Sequence, residues 1–198
     1  VEARPFPLSP SERLPMTAFH RFFVFTGGPG SGKTTLLIAL EAEGFVVMPE
    51  AGRAVIREES AKGGHALPWG DRAAFAERML RFDLANHAAA AAKPGPVLFD
   101  RGVPDTLGYL RLCGLPVPPK TFRLARETRY AGTVFLAPFW PAIFKQDRER
   151  RQDLAEAEAT ARTMREVYGE LGYAIAELPR APVSERVGFV REAIRASR

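Results

Sequence analysis

Cysteine is nearly absent from this sequence. Cys113 is the single cysteine among 198 residues, so no disulfide can form within the chain. Long uncharged runs are also missing, because the longest covers residues 130–144 and contains Pro138 and Pro141, which excludes a membrane-spanning helix. Nothing near the amino terminus follows the plan of a signal peptide. These absences predict a cytoplasmic protein with no membrane partner.

Lysine is scarce while arginine is abundant. Of 28 cationic residues only 5 are Lys and 23 are Arg, and the formal net charge is +5. The planar guanidinium suits phosphate and carboxylate oxygens, although an arginine-rich genome would produce the same bias. Charges alternate in sign along most segments and no basic run of five to eight residues appears, so we expect no nucleic-acid partner.

The apolar pattern predicts one α/β domain over residues 19–198, after a proline-rich flexible leader at 1–18. Short apolar runs predict strands at 21–26, 45–48, 97–100, 133–137 and 173–177. Helical patterns occupy 33–43, 51–60, 71–92, 104–113, 120–129, 148–171 and 183–196. Strands that alternate with helices predict a mostly parallel sheet with right-handed crossovers.

The segment 27–34 reads GGPGSGKT and fits the P-loop pattern between a predicted strand and a predicted helix. Its backbone N–H groups and the helix dipole suit the phosphates of ATP or GTP, whereas a glycine-rich turn that binds nothing is the alternative. The expected nucleotide-binding residues are Gly28, Pro29, Gly30, Ser31, Gly32, Lys33, Thr34 and Thr35. Lys33 is expected to reach the β and γ phosphates, and Thr34 to offer its hydroxyl to Mg²⁺.

Two carboxylates follow predicted strands, where ligands collect in an open parallel sheet. Asp100 ends the run VLFD and is a candidate Mg²⁺ ligand, while Glu50 could deprotonate an acceptor hydroxyl, hold it, or hold the metal. A helix cap is the alternative for either residue. Arg53 and Arg101 lie beside these acids in sequence and could grip the acceptor.

Three further residues are candidates near the substrates. Arg148 and Arg151 share one face at the start of the predicted helix 148–171, and arginines on a closing segment can neutralise a migrating phosphoryl group. The alternative for them is a solvated charged turn. Trp69 could stack on an acceptor ring, with packing in the core or under a lid as the alternative.

Five segments together carry a resemblance that extends over nearly the whole chain from residue 19: GGPGSGKT, VVMPEAGRAVIREE, FDRGVPDTLGYL, FLAPFWPAIFKQDRERR and YGELGYAIAELP. The sequence resembles the small single-domain P-loop proteins of the AAA-type ATPase class that are described as predicted ATPases or kinases. That group is similar to the ribosylnicotinamide kinase domain of a bifunctional nicotinamide-nucleotide enzyme, and more distantly to nucleoside and nucleotide monophosphate kinases.

The resemblance implies a P-loop three-layer α/β/α sandwich, with a five-stranded parallel sheet and a helical lid at about residues 140–155. It places Glu50 and Arg53 at the acceptor and Asp100 at the metal. The lid would carry Arg148, Arg150 and Arg151.

We therefore expect Mg²⁺-dependent transfer of the γ-phosphoryl group of ATP, or of GTP, to a small nucleoside-like or nucleotide-like acceptor. Lys33, Arg101 and the lid arginines would balance the charge of the transition state. An ATPase or GTPase switch that acts on a protein partner is the alternative.

Overall fold

The structure is a computed structural model that describes residues 16–144 and 153–197. A short 3₁₀ helix, Met16–Arg21, precedes the first strand, so the last three residues of the expected leader belong to a helical turn. The strands are β1 Phe22–Gly27, β2 Val46–Met48, β3 Val97–Asp100, β4 Thr133–Ala137 and β5 Ala174–Glu177. The helices are α1 Lys33–Ala42, α2 Ala51–Lys62, α3 Arg72–Ala90, α4 Val103–Leu112, α5 Pro119–Glu127, α6 Leu154–Glu170 and α7 Val183–Ala196.

The five strands form one sheet in the order β2-β3-β1-β4-β5, and every pairing is parallel. The predicted five-stranded parallel sheet is confirmed. All six residues of β1 are buried, as a strand covered on both faces requires. The carboxyl ends of the strands meet at one edge, where the loops after β1, β2 and β3 carry the candidate residues.

Alternate side chains of β1 face two hydrophobic layers. Phe22 and Val24 pack in a cluster with side chains of α3, α4 and α6, whereas Phe23 and Phe25 pack in a second cluster with α1 and α7. Burial of each phenylalanine stabilises the fold by about 1.5–3 kcal/mol. The three-layer α/β/α arrangement follows from this alternation.

Helix α6 begins later than its sequence suggests. The expected start at Arg148 is wrong, because Asp153 is the N-cap: its side chain accepts from Glu156 N, and Glu156 accepts in return from Asp153 N. The apolar repeat that predicted this helix starts only at Leu154, which is itself exposed.

Helix α3 ends earlier than residue 92, and Arg21 forms the contacts at its end. The guanidinium of Arg21 donates to the carbonyls of Ala90 at 3.1 Å, Ala91 at 2.9 Å, Lys93 at 2.7 Å and Gly95 at 2.9 Å. A cation at a helix carboxyl terminus satisfies carbonyls that have no partner within the helix. These bonds tie the end of α3 to the start of β1.

Candidate active site

The P-loop turns between β1 and α1 as its sequence requires. Gly30 and Gly32 adopt φ of 67° and 74°, a left-handed conformation that side chains disfavour. Gly32 is the N-cap of α1 and no side chain caps this end of the helix. The first N–H groups of α1 are therefore available to an anion, with the favourable end of the helix dipole behind them.

The side chain of Lys33 folds back onto the P-loop. It is 6% exposed, and its Nζ donates to the carbonyls of Gly27 at 3.2 Å and Gly28 at 2.7 Å and to the hydroxyl of Ser31 at 3.2 Å. The loop thus brings the Lys33 ammonium and a helix amino terminus together.

Glu50 lies at the start of α2 and faces the residues that follow β3. It is 8% exposed, and its carboxylate accepts from Nε of Arg53 at 3.3 Å and from Nε of Arg101 at 3.2 Å. Glu50 occupies the N-cap position of α2, but its side chain makes no capping hydrogen bond. The helix-cap alternative is therefore wrong for the Glu50 side chain, and the structure joins three of the predicted site residues in one cluster.

Asp105, which the sequence analysis did not select, lies at the centre of this cluster. Its carboxylate accepts from Nη1 of Arg101 at 2.8 Å, the hydroxyl of Thr26 at 2.7 Å, the hydroxyl of Tyr168 at 2.7 Å and the N–H of Gly102 at 3.1 Å. It is 6% exposed, so the four donors satisfy a buried charge. Asp105 is the third residue of α4, and the position of an acid in the first turn of a helix is the one sequence signal that points to it.

The backbone of Arg101 is unusual for its residue type. Its φ is 72°, and among the described residues it is the one non-glycine with a positive φ. Its N–H donates to the carbonyl of Phe25 at 2.9 Å, which joins the ends of β3 and β1. A left-handed non-glycine residue costs about 1–2 kcal/mol and often marks a functional site. Here it directs a guanidinium between Glu50 and Asp105.

Asp100 combines burial with an unsatisfied oxygen. It is 9% exposed, and its Oδ1 is buried with no hydrogen-bond partner in the described part of the chain. Burial raises the pKa of Asp100, while the nearby charges of Lys33 and Arg101 act to lower it. Asp100 is also not the N-cap of α4, a position that Gly102 occupies, so the helix-cap alternative is wrong here too.

The oxygens at this point fit Mg²⁺. Thr34 and Thr35 are exposed on the first turn of α1, and Asp100 supplies a carboxylate oxygen that has no partner among the described residues. No cluster of three or more His, Cys, Asp or Glu that could hold a metal is present in residues 16–144 and 153–197. Mg²⁺ usually binds through one or two protein oxygens together with substrate phosphates, so this small donor set suffices.

A fourth carboxyl group, Asp83, faces the cluster from α3. Asp83 is 4% exposed, and burial raises its pKa well above the ordinary value. The negative charge of Asp105 raises the pKa further, while Arg101 acts in the opposite direction. No sequence motif points to Asp83. It lies on the buried face of α3, where the other buried residues are apolar apart from one histidine.

The remaining predicted residues are Trp69 and the arginines of the expected lid. Trp69 lies between α2 and α3 and is 63% exposed, so packing in the core is excluded, while its contact with an acceptor stays a prediction. Arg148 and Arg151, with Arg150, lie outside the described residues.

Residues 22–186 match a protein family described as an AAA domain, AAA_28. The chain belongs to this family. No curated protein matches its sequence. None of the helices described for this AAA-domain protein is long and apolar enough to cross a membrane.

Three solved structures share the fold of this AAA-domain protein. A NadR protein in complex with NR matches with a TM-score of 0.64 and 19% identity, over 90% of this chain and 52% of that one. Deoxyadenosine kinase from M. mycoides with bound dATP matches with a TM-score of 0.55 and 12% identity, over 89% and 100%. Shikimate kinase from Acinetobacter baumannii in complex with shikimate matches with a TM-score of 0.55 and 16% identity, over 93% and 99%. The fold is that of kinase-like P-loop proteins.

Proposed function

We propose that this protein is a Mg²⁺-dependent kinase that transfers the γ-phosphoryl group of ATP to a hydroxyl of a nucleoside-like small molecule. The observation that carries the proposal is the position of Glu50. Its buried carboxylate is held by Arg53 and Arg101 at the same edge of the sheet as the P-loop. A carboxylate held in this way can accept a proton from an attacking hydroxyl, and the acceptor panel below distinguishes the hydroxyl of a small molecule from that of water.

The nucleotide side of the reaction is assigned to the P-loop. The N–H groups at the start of α1 bind the phosphates, and Lys33 leaves its loop acceptors to contact the β and γ phosphates. Thr34 and Asp100 would hold Mg²⁺, which supplies positive charge that offsets the charge of the transferring phosphoryl group. GTP fits the same phosphate contacts, since none of these residues contacts the base.

The acceptor side is assigned to Glu50, Arg53 and Arg101. In this proposal Glu50 accepts the proton of the attacking hydroxyl, and the two arginines hold Glu50 and the acceptor in place. A nucleoside-like acceptor is supported by two of the three fold relatives, whose descriptions name a deoxyadenosine kinase and a complex with NR. Trp69 is the candidate for stacking on the acceptor ring.

Two further elements of the proposal rest on the sequence. Arg148 and Arg151 would neutralise the transferring phosphoryl group from a lid over about residues 140–155. A cytoplasmic location is supported by the lone Cys113, which has no intramolecular disulfide partner in the chain.

A panel of acceptors tests the proposal. The protein is mixed with ATP and Mg²⁺, and release of ADP is followed with a deoxynucleoside, nicotinamide riboside or shikimate added in turn. The proposal predicts that the deoxynucleoside or nicotinamide riboside raises ADP release well above the rate without acceptor, and that shikimate does not. If release is the same whatever is added, the proposal gives way to an ATPase or switch that acts on a protein partner.

A further inference from the structure

Arg186 is the largest fully buried side chain in the described part of the chain, with 2% exposure. It lies in the first turns of α7 and reaches the back of the P-loop. Its Nη2 donates to the carbonyl of Ser31 at 3.3 Å, and its Nη1 to the carbonyl of Gly32 at 3.4 Å. A Cβ at Gly32 would stand 2.7 Å from Nη1, so the guanidinium and the loop are in close contact.

Among the described residues, no acid compensates this buried guanidinium. Within residues 16–144 and 153–197, Arg186 forms no ion pair, and its Nε is buried with no hydrogen-bond partner. Burial lowers the pKa of Arg186, as expected for a cation whose contacts are neutral. A buried charge that lacks a partner is strongly unfavourable, and real proteins accept such costs at functional sites.

The two hydrogen bonds also orient the loop. In a trans peptide the C=O and N–H groups point in opposite directions. A guanidinium that holds the carbonyls of Ser31 and Gly32 on the α7 side therefore turns the N–H groups of Gly32 and Lys33 toward the opposite side. That side is where the P-loop presents donors to an anion.

We propose that Arg186 is a positioning residue of the phosphate site, acting from behind the P-loop. It fixes the peptides at 31–32 and 32–33, and it adds a buried positive charge that a bound polyphosphate offsets. The inference rests on the proposed nucleotide site and deepens it. It predicts that Arg186 stabilises the complex with a polyphosphate more than it stabilises the empty protein.

Three variants test this role. Arg186→Met replaces the arginine by an apolar side chain of similar length. Arg186→Lys keeps the positive charge but not the two Nη donors of the guanidinium. Arg191→Met removes an exposed arginine of the same helix and serves as the control. Binding of ATP and of inorganic tripolyphosphate is measured by calorimetry for each variant and the wild type. Thermal unfolding without ligand is measured on the same samples.

We expect Arg186→Met to weaken both ligands by about tenfold or more, because the variant loses the positive charge behind the phosphate site and the bonds that orient the N–H groups of the loop. Its melting temperature without ligand should stay the same or rise, since replacing a buried unpaired charge by an apolar side chain is often stabilising. Arg186→Lys should bind with intermediate affinity, and Arg191→Met like the wild type.

Two results would overturn the inference. If Arg186→Met bound both ligands with unchanged affinity, whatever its melting temperature, Arg186 would have only a structural role in joining α7 to the loop. If the wild type itself bound neither ATP nor tripolyphosphate, the proposed nucleotide site would fail, and the inference with it.

Discussion

Nε of Arg101 donates to the carboxylate of Glu50 at 3.2 Å and so joins two residues that are 51 positions apart in the sequence. Arg101 follows β3 and Glu50 precedes α2, so the contact connects the two loops next to the P-loop. Both side chains are largely buried, with 12% exposure for Arg101 and 6% for Glu50. The pair thereby presents a fixed carboxylate at the edge of the sheet where ligands bind in this type of fold.

Glu50→Gln tests whether this carboxylate acts on an acceptor. The amide keeps the shape of the side chain but cannot take a proton from a hydroxyl. We expect transfer to the acceptor to fall by about 10²-fold or more while slow hydrolysis of ATP continues. Glu58→Gln is the matched control, because Glu58 lies on the same helix with a side chain that is 54% exposed. Equal transfer by the two variants would remove Glu50 from the mechanism.

Lys33→Ala tests the assignment of the P-loop. The ammonium is buried against Gly27, Gly28 and Ser31, and its removal takes away the P-loop side-chain cation that is proposed to contact the phosphates. We expect ATP turnover to fall by about 10²-fold or more. Circular dichroism must show that the variant is folded, and Lys62→Ala removes an exposed lysine as the control. A folded Lys33→Ala protein with normal turnover would contradict the assignment.

Much of the fold follows from local pattern, as β1 and α1 illustrate. The apolar run before the glycines predicted a buried parallel strand, and the P-loop motif then placed a helix terminus at Lys33. Glu50 and Asp100 became candidates because each follows a strand, and ligands bind at the carboxyl edge of an open parallel sheet.

Asp105, Tyr168 and Arg186 could not be predicted in the same way. Each forms hydrogen bonds with partners that are distant in sequence. Tyr168 donates to Asp105, 63 residues away, and Arg186 donates to Ser31, 155 residues away. Short patterns report on the backbone near a residue, whereas these contacts depend on how helices dock on the sheet. Asp83 is likewise buried because α3 packs against the rest of the fold, which no short sequence pattern reports.

Asp105→Asn tests whether Asp105 positions Arg101. Losing one member of a buried pair costs about 3 kcal/mol of unfolding free energy. Because Arg101 then loses its anchor beside Glu50, we expect kcat for transfer to fall by about tenfold or more, with little change in ATP affinity. Tyr168→Phe is the control: it removes one donor to Asp105 and costs about 2 kcal/mol of stability, but it leaves the bond between Asp105 and Arg101. Equal loss of kcat in both variants would show a purely structural role.

Asp83 gives the protein a pH-dependent stability with a defined sign. Its ordinary pKa is 3.8, and burial followed by the charge of Asp105 raises the pKa in the folded state. Above pH 3.8 the unfolded chain releases a proton that the folded protein retains, so the contribution of Asp83 to stability is full below 3.8 and is lost as the pH rises toward the folded pKa.

Asp83→Asn removes this dependence while keeping the size of the side chain. We expect the free energy of unfolding of the variant, relative to the wild type, to be higher at about pH 8 than at about pH 5 in urea denaturation. Glu77→Gln, an exposed substitution on the same helix, should show no such change. A difference between Asp83→Asn and wild type that does not vary with pH would contradict the burial of an acid at this position.

The most direct test of the central claim is the fate of the γ-phosphoryl group. Protein, Mg²⁺ and γ-labelled ATP are incubated with and without pooled nucleosides, nucleotides and nicotinamide riboside, and labelled organic product is separated from free phosphate. The account predicts label on an acceptor with wild-type protein and its loss in Glu50→Gln. Label found only as free phosphate, at the same rate whatever is added, would contradict it.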